Sequence, residues 1–528
     1  MGALGEAKIG LNFSQRVPGA MSGPGSELYL YSSDRIGLYQ GITQYWYVLA
    51  AGLVIGDIAD ATLVDRLTGE ADAVWPQVLA DAAAGRMKAR YDGGLAEMDA
   101  VRPARHDLLT GDYAFGAIQT TRGCPMNCTF CCVTAFNGSR YRQRPIPIIQ
   151  VHTDEGLVGL GETFMGPQAV EAYLHETVAP KLLGRDPLSI ESINAALSNY
   201  LGWRSAGVET RGNSAIDIAL WDLFGKAHGR PVADMLGGRS RDSIRVYNTC
   251  AGYKYIRDAR AQSVANWHAG ATAGPYEDLD AFLHRADELA LSLLEQGISG
   301  MKIWPFDIAA ERTGGLDIGP AELDTALEPF RRIRRAVGSR MDIMVEFHSL
   351  WSLPMAKKLA QALAEFDTYW HEDPFRLDNI GDLADYARHS KAWVCASETL
   401  AYTHSFREYL ETGVAGVAML DLSWCGGITE ARKIAAMAEA WHVPVAPHDC
   451  TGPVVYAASC HLSLHARNAL IQESVRAFYT GWYNELASGL PVVRNGAVSI
   501  GDAPGLGIEL LPEVERRPDL VRRVSRAP

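Results

Sequence analysis

Glu346, Glu372 and Glu398 stand 26 residues apart, and each closes a short apolar run: IMVEF, TYWHEDPF and VCASETL. Carboxylates are hard oxygen donors, and three of them brought together suit a divalent cation such as Mg2+. The interval itself suggests how they meet. It is about the length of one strand, one helix and two loops, the repeat of a parallel β/α barrel, in which residues ending successive strands converge at one mouth. The beat continues downstream with Asp421 in GVAMLDLS, His448 in VPVAPHD and Glu473 in ALIQESV, at intervals of 23, 27 and 25 residues. Lys302, in GISGMKIWPFD, adds a positive charge upstream.

The elements that must hold these residues follow the same spacing. IRVYNTCAGY around Tyr247 is an earlier strand, and with Lys302 and the six positions above it makes eight strand candidates between about residues 244 and 475. The segments between them, such as AKKLAQALAEF and EARKIAAMAEAW, have helical period. The fold class is therefore α/β. A chain of 528 residues with 48% hydrophobic content is ample for several domain-sized units. A net charge of −13 argues against a nucleic-acid surface, and local positive charge is then needed to hold an anionic substrate. Nine cysteines without a paired pattern fit the reduced thiols of a cytoplasmic protein. No signal-peptide pattern opens the chain, and its longest apolar stretch, YWYVLAAGLVIG (45–56), is too short to span a bilayer, so no membrane partner is expected.

In this arrangement the chain resembles the enolase superfamily, mandelate racemase/muconate lactonizing enzyme subgroup, over roughly residues 146–516. TRGNSAIDIALWDLFGKAHGRPVADMLGG (210–238) resembles the segment that leads into that family's barrel. The resemblance implies a TIM-type (β/α)7β barrel with an α+β capping domain. It implies Glu346, Glu372 and Glu398 as Mg2+ ligands, Asp421 and His448 as a base dyad, and Glu473 as a partner of the enediolate or of the substrate carboxylate. Lys302 would add charge beside the same oxygen. The implied chemistry is removal of a proton next to a carboxylate from a small anionic sugar acid, a step in sugar acid catabolism, by a protein that is commonly a homo-oligomer. One departure narrows it. Many relatives carry Lys-x-Lys on the second strand, and here Trp304 holds the second place. An indole cannot take a proton, so two-base racemisation is disfavoured. Single-base dehydration comes first, with cycloisomerisation of a sugar lactone or anhydro-sugar acid as the alternative. His348, two residues after Glu346, points to the same side of a strand, where it would protonate a leaving hydroxyl or bind a substrate hydroxyl.

A second motif belongs to other chemistry. TTRGCPMNCTFCCVTAFNGSRYRQRP (120–145) spaces Cys124, Cys128 and Cys131 as C-x3-C-x2-C and resembles the radical SAM superfamily, cobalamin type. That resemblance implies a [4Fe–4S] cluster with S-adenosylmethionine on its open iron. It stops near Pro145, where PIIQVHTDEGLVGLGETF (147–164) already resembles the second strand of the capping domain. The expected organisation is a flexible start (1–28), a truncated radical SAM-like fragment (29–145), and a capping domain lacking its first strand and loop (146–240). The catalytic barrel (241–475), a return to the cap (476–516) and a frayed tail (517–528) follow. Such a fusion leaves two further readings beside the dehydratase: an iron–sulfur protein, or a folded but catalytically silent one.

Overall fold

The computed structural model describes residues 146–197, 207–255, 274–517 and 520–526, with isolated positions elsewhere. The chain divides into two compact units, Met1–Gln143 and Arg144–Pro528. In the first, Leu67–Thr68 pairs in parallel with Tyr91–Asp92, and Arg86 meets Asp81 at 3.6 Å. Cys124, Cys128 and Cys131 lie outside the described residues.

The second unit opens with a hairpin of β1 (Ile148–His152) and β2 (Val158–Glu162), which among the described residues forms a two-stranded sheet. Helix α1 (Val208–Ala227) lies directly on β2. Gly159 and Gly161 permit this: a Cβ on either would stand 2.2 Å from the Ala219 carbonyl oxygen or 1.9 Å from that of Ala215. The face Ile216, Leu220 and Leu223 is buried as its period suggests. So is most of the rest of the helix, including Ser214, Asp217 and Asp222. The reason is that α1 is enclosed on several sides. Asp222 accepts from the backbone N–H of Leu160 (2.9 Å) on the hairpin, and Asp217 accepts from Thr429 N–H (2.9 Å) on a barrel helix.

Eight parallel strands follow. They are β3 (Ile244–Thr249), β4 (Gly300–Ile303), β5 (Asp342–Glu346), β6 (Trp370–Glu372), β7 (Trp393–Ala396), β8 (Ala415–Leu420), β9 (Val445–Pro447) and β10 (Gln472–Ser474). Each pairs with the next from β3 to β9, and β10 pairs with β3 (Glu473 opposite Tyr247). The ring closes between β9 and β10 through the Leu470 N–H donating to the Val445 carbonyl at 2.9 Å. The helical segments predicted between strands fall in α2 (Leu353–Leu363) and α3 (Gly427–Ala440), and α4 (Pro453–His465) follows β9. Covered on both faces, the strands are almost wholly buried, as parallel strands are.

Tyr247, Met344, Trp370, Cys395, Val417, Met419 and Ala446, drawn from β3 and β5 to β9, form a separate cluster that fills the barrel. Side chains alternate along a strand, so Glu346 and Glu372 stand one layer above Met344 and Trp370 and point the same way. The seam between β3 and β10 is clamped by Arg476, whose Nε and Nη2 each donate to Asp278 at 2.7 Å, both side chains being buried.

The segment after the barrel divides its allegiance. β11 (Ala487–Ser488) pairs with β14 (Glu509–Leu510), while β12 (Val492–Arg494) and β13 (Ala497–Ser499) form a hairpin whose β13 joins the barrel strand β3 in antiparallel fashion. Asn495 and Gly496, both at positive φ (48° and 71°), make its turn. The return to the cap comes later, where Leu506 N–H donates to Asp222 at 2.7 Å. Part of the tail expected to fray is held: Arg523 pairs with Glu176, and Ser525 Oγ lies 2.7 Å from His175 Nδ1. No described helix is long and apolar enough to cross a membrane.

Candidate active site at the barrel mouth

Glu346 and Glu372 are the last residues of β5 and β6, and Glu398 lies two residues beyond β7. One carboxylate oxygen from each comes within 4.8 Å of the others, close enough to share one cation. The donor set is all carboxyl oxygen. Lys302 Nζ lies against the same group, 2.8 Å from Glu372 Oε1, 3.2 Å from Glu346 Oε2 and 3.0 Å from Glu473 Oε1. Burial pushes the Glu372 carboxyl well above its usual range, and the neighbouring Glu346 charge adds to the push beyond what Lys302 offsets. Burial would lower the Lys302 ammonium, but Glu372 and Glu473 outweigh it and hold the pKa high. One ammonium thus serves three buried carboxylates. That imbalance is what a bound dication would relieve.

His448, one residue past β9, joins two carboxylates. Its Nδ1 is 2.7 Å from Asp421 Oδ2 and its Nε2 is 2.9 Å from Glu398 Oε2. Asp421 is held in turn: its Oδ1 accepts from Ser423 N–H (2.7 Å) and Ser423 Oγ (2.6 Å), and its Oδ2 from Thr451 Oγ1 (3.0 Å). With Nδ1 committed to Asp421, Nε2 is the nitrogen that faces the carboxylate triad. Burial would raise Glu398, but the nearby His448 charge outweighs it and brings the carboxyl to about 2. Glu473, in β10, accepts from Thr249 Oγ1 and from Asp449 N–H (3.0 Å), which fixes its orientation toward Lys302.

His348 reaches the same pocket from the other side of Glu346. Its backbone N–H donates to Glu346 Oε1 (2.7 Å) and its Nδ1 lies 2.7 Å from Asp307 Oδ2. Burial would depress this imidazole, but Asp307 and Glu346 push its pKa up to about 9. The pocket is lined by His348, His448, Lys302, Glu346, Glu398 and Trp304, among others. Lys302, Glu346, Glu372, Glu398, Asp421, His448, Glu473 and His348 therefore come together at this mouth. His371, one residue before Glu372, points away and is held by Tyr386 OH at 2.7 Å.

Other residues of the site escaped the sequence reading. Asp307 ends WPFD five residues after Lys302, an acid following an apolar run like the others, but off the regular beat. Glu162 at the end of β2 is buried and accepts from Val454 and Val455 N–H, both at 2.9 Å, at the start of α4. It anchors the loop that carries His448 and Thr451. Arg211 of α1 lays its guanidinium over Trp424 at 4.5 Å and donates from Nη1 to the Phe164 carbonyl at 2.9 Å. No local pattern marks either contact.

The mandelate racemase/muconate lactonizing enzyme N-terminal domain matches residues 124–237, and the enolase C-terminal domain-like family matches residues 285–514. The first match begins upstream of residue 146 and runs over the three cysteines. A D-galactonate dehydratase from Ralstonia pickettii is 32% identical over 372 residues, covering 69% of this chain and 88% of the relative. A crystal structure of an enolase of the mandelate racemase subgroup from Agrobacterium tumefaciens is similar at 54% identity and a TM-score of 0.63, over 70% of this chain and 92% of that one. An enolase protein from Sargasso Sea environmental sequencing has 43% identity and a TM-score of 0.64, over 73% and 95%.

Proposed function

This chain belongs to the mandelate racemase/muconate lactonizing enzyme family of the enolase superfamily, and on that premise we propose that it dehydrates a sugar acid through abstraction of the proton next to the carboxylate. The observation that carries the reading is the His448 imidazole, tied to Asp421 at 2.7 Å through one nitrogen and facing the Glu346–Glu372–Glu398 group at 2.9 Å through the other. D-galactonate, the acid named for the relatives at 31–32% identity, is the first candidate substrate.

Glu346, Glu372 and Glu398 would hold Mg2+, which when bound supplies the positive charge that makes a carbon acid next to a carboxylate acidic enough to ionise. In its neutral form, with the proton on Nδ1 toward Asp421, His448 takes the α-proton at Nε2, and Asp421 stabilises the imidazolium that results. The electron pair of the broken α C–H bond passes first into the carboxylate as an enediolate, then returns to form the new C=C bond as the β C–O bond breaks. His348, held by Asp307, gives its proton to the departing hydroxide, which leaves as water. The enol product tautomerises to a 2-keto-3-deoxy acid. Lys302 and Glu473 flank the developing negative oxygen, with Thr249 and Asp449 fixing the Glu473 carboxylate. Trp304 stands where a second base would be needed for racemisation, and an indole does not accept a proton.

The test is a panel of aldonic and aldaric acids, D-galactonate among them, incubated with the Mg2+-loaded protein in deuterium oxide. Keto acid is read as its semicarbazone, and α-deuteration by NMR. His448→Asn should lose both signals by about 10²- to 10⁴-fold. Equal signals from the variant and the wild-type protein would remove His448 as the base.

A further inference from the structure

Trp304 and Trp424 both line the pocket, and both are buried, at 1% and 3% exposure. Neither indole N–H has an acceptor among the described residues. Two other buried indoles are satisfied. Trp221 donates to Thr429 Oγ1 at 2.8 Å, and Trp370 to Glu372 Oε2 at 3.1 Å. Trp351 is also without an acceptor, but it is not part of the pocket wall. The conjunction of an unmet donor with a place in the pocket sets Trp304 and Trp424 apart.

Each ring is also locked, and each accompanies one histidine. Trp304 packs against Tyr255 (5.5 Å between ring centroids), Phe282 (5.1 Å) and His348 (5.9 Å). Trp424 lies 5.8 Å from His448 and is covered on a face by Arg211, itself tied to the Phe164 carbonyl. A fixed buried donor binds its acceptor without losing side-chain freedom on binding. An indole N–H only donates and does not titrate, so it suits a neutral oxygen and leaves the proton chemistry to the histidines.

We infer that the Trp304 and Trp424 indole N–H groups are two hydroxyl-recognition donors, each binding a different hydroxyl of a polyhydroxylated acid, one beside His348 and one beside His448. This rests on the dehydratase reading and adds to it the residues that choose the substrate. A site built to donate to a hydroxyl discriminates against analogues that lack it, because the donor is then left buried and unpaired. The acid must therefore carry hydroxyls beyond the two carbons that react.

The experiment uses Trp304→Phe and Trp424→Phe, which keep an aromatic ring and remove the donor. kcat/KM is measured on the acid dehydrated fastest in the panel above and on its 4-, 5- and 6-deoxy counterparts. Each variant should lose on the order of tenfold on the parent acid, mostly through KM. It should lose nothing further on one deoxy acid, and that acid should differ between the two variants. Unchanged kcat/KM on the parent acid, or the same loss on every acid, would overturn the inference. A panel with no dehydration, together with α-deuteration unaffected by His448→Asn, would strike the dehydratase reading itself. Thermal unfolding followed by circular dichroism separates a misfolded variant from a folded one, and a Trp→Leu pair, which also lacks a donor, supplies the same comparison if a Phe variant fails to fold.

Discussion

Glu162 is the place where folding and site geometry meet, and its replacement by glutamine has a calculable consequence. The carboxyl is fully buried at the end of β2, and burial raises its pKa from 4.5 to about 8 despite the two backbone N–H donors of Val454 and Val455, which pull the other way. Below pH 4.5 both the folded and the unfolded chain carry the proton, and ionisation costs nothing. Between pH 4.5 and 8 the unfolded chain releases it while the folded chain keeps it, so stability falls as pH rises. Above about 8 the loss is complete. A difference of about 3.5 pH units at about 1.36 kcal/mol each sets its ceiling at about 5 kcal/mol. Glu162→Gln keeps an oxygen for Val454 and Val455 but cannot ionise. The assay is urea unfolding of both proteins at pH 5.0, 6.5 and 8.5, followed by tryptophan fluorescence. Asp217, raised to about 6 by burial, titrates in both proteins, so the difference between their profiles isolates Glu162. The variant should match the wild type or be weaker at pH 5.0 and gain on it steadily toward pH 8.5. Parallel profiles across that range would refute the reasoning, since Glu162 would then ionise alike in the folded and unfolded chain.

Two further outcomes follow from the same geometry. Asp421→Asn removes the carboxylate that holds His448 Nδ1 at 2.7 Å, and kcat should fall by about 10²- to 10⁴-fold while KM and the circular dichroism spectrum change little; a KM effect without a kcat effect would contradict the dyad. Arg476→Met leaves Asp278 buried at the barrel seam without its bidentate partner, and should cost about 3–5 kcal/mol in urea unfolding, with Asp278→Leu in the same chain recovering much of it. A loss under about 1 kcal/mol for Arg476→Met would show that the seam does not depend on this pair.

The eight barrel strands and the six residues of the triad, the dyad and β10 were legible in the sequence because each depends on local information. An apolar run of strand length ending in an acid or a histidine, repeated at a nearly constant interval, specifies both the strand and which end of the barrel the polar residue occupies. Glu346 and Glu372 needed nothing more, since the side-chain period of two places them above Met344 and Trp370. Contacts between distant segments had no such signature. Asp307 meets His348 across 41 residues, and Glu162 meets Val454 across 292. The hairpin of β12 and β13 attaches to β3 rather than to the cap, and α1 is buried on more sides than its period suggests. Hydrophobic periodicity records that a face is covered, and the tertiary structure alone decides what covers it. The sequence thus determined the barrel, its acidic mouth and the place of His448 there, whereas the closing of the chain on itself decided how His348 is held and which buried indole donors stay unpaired.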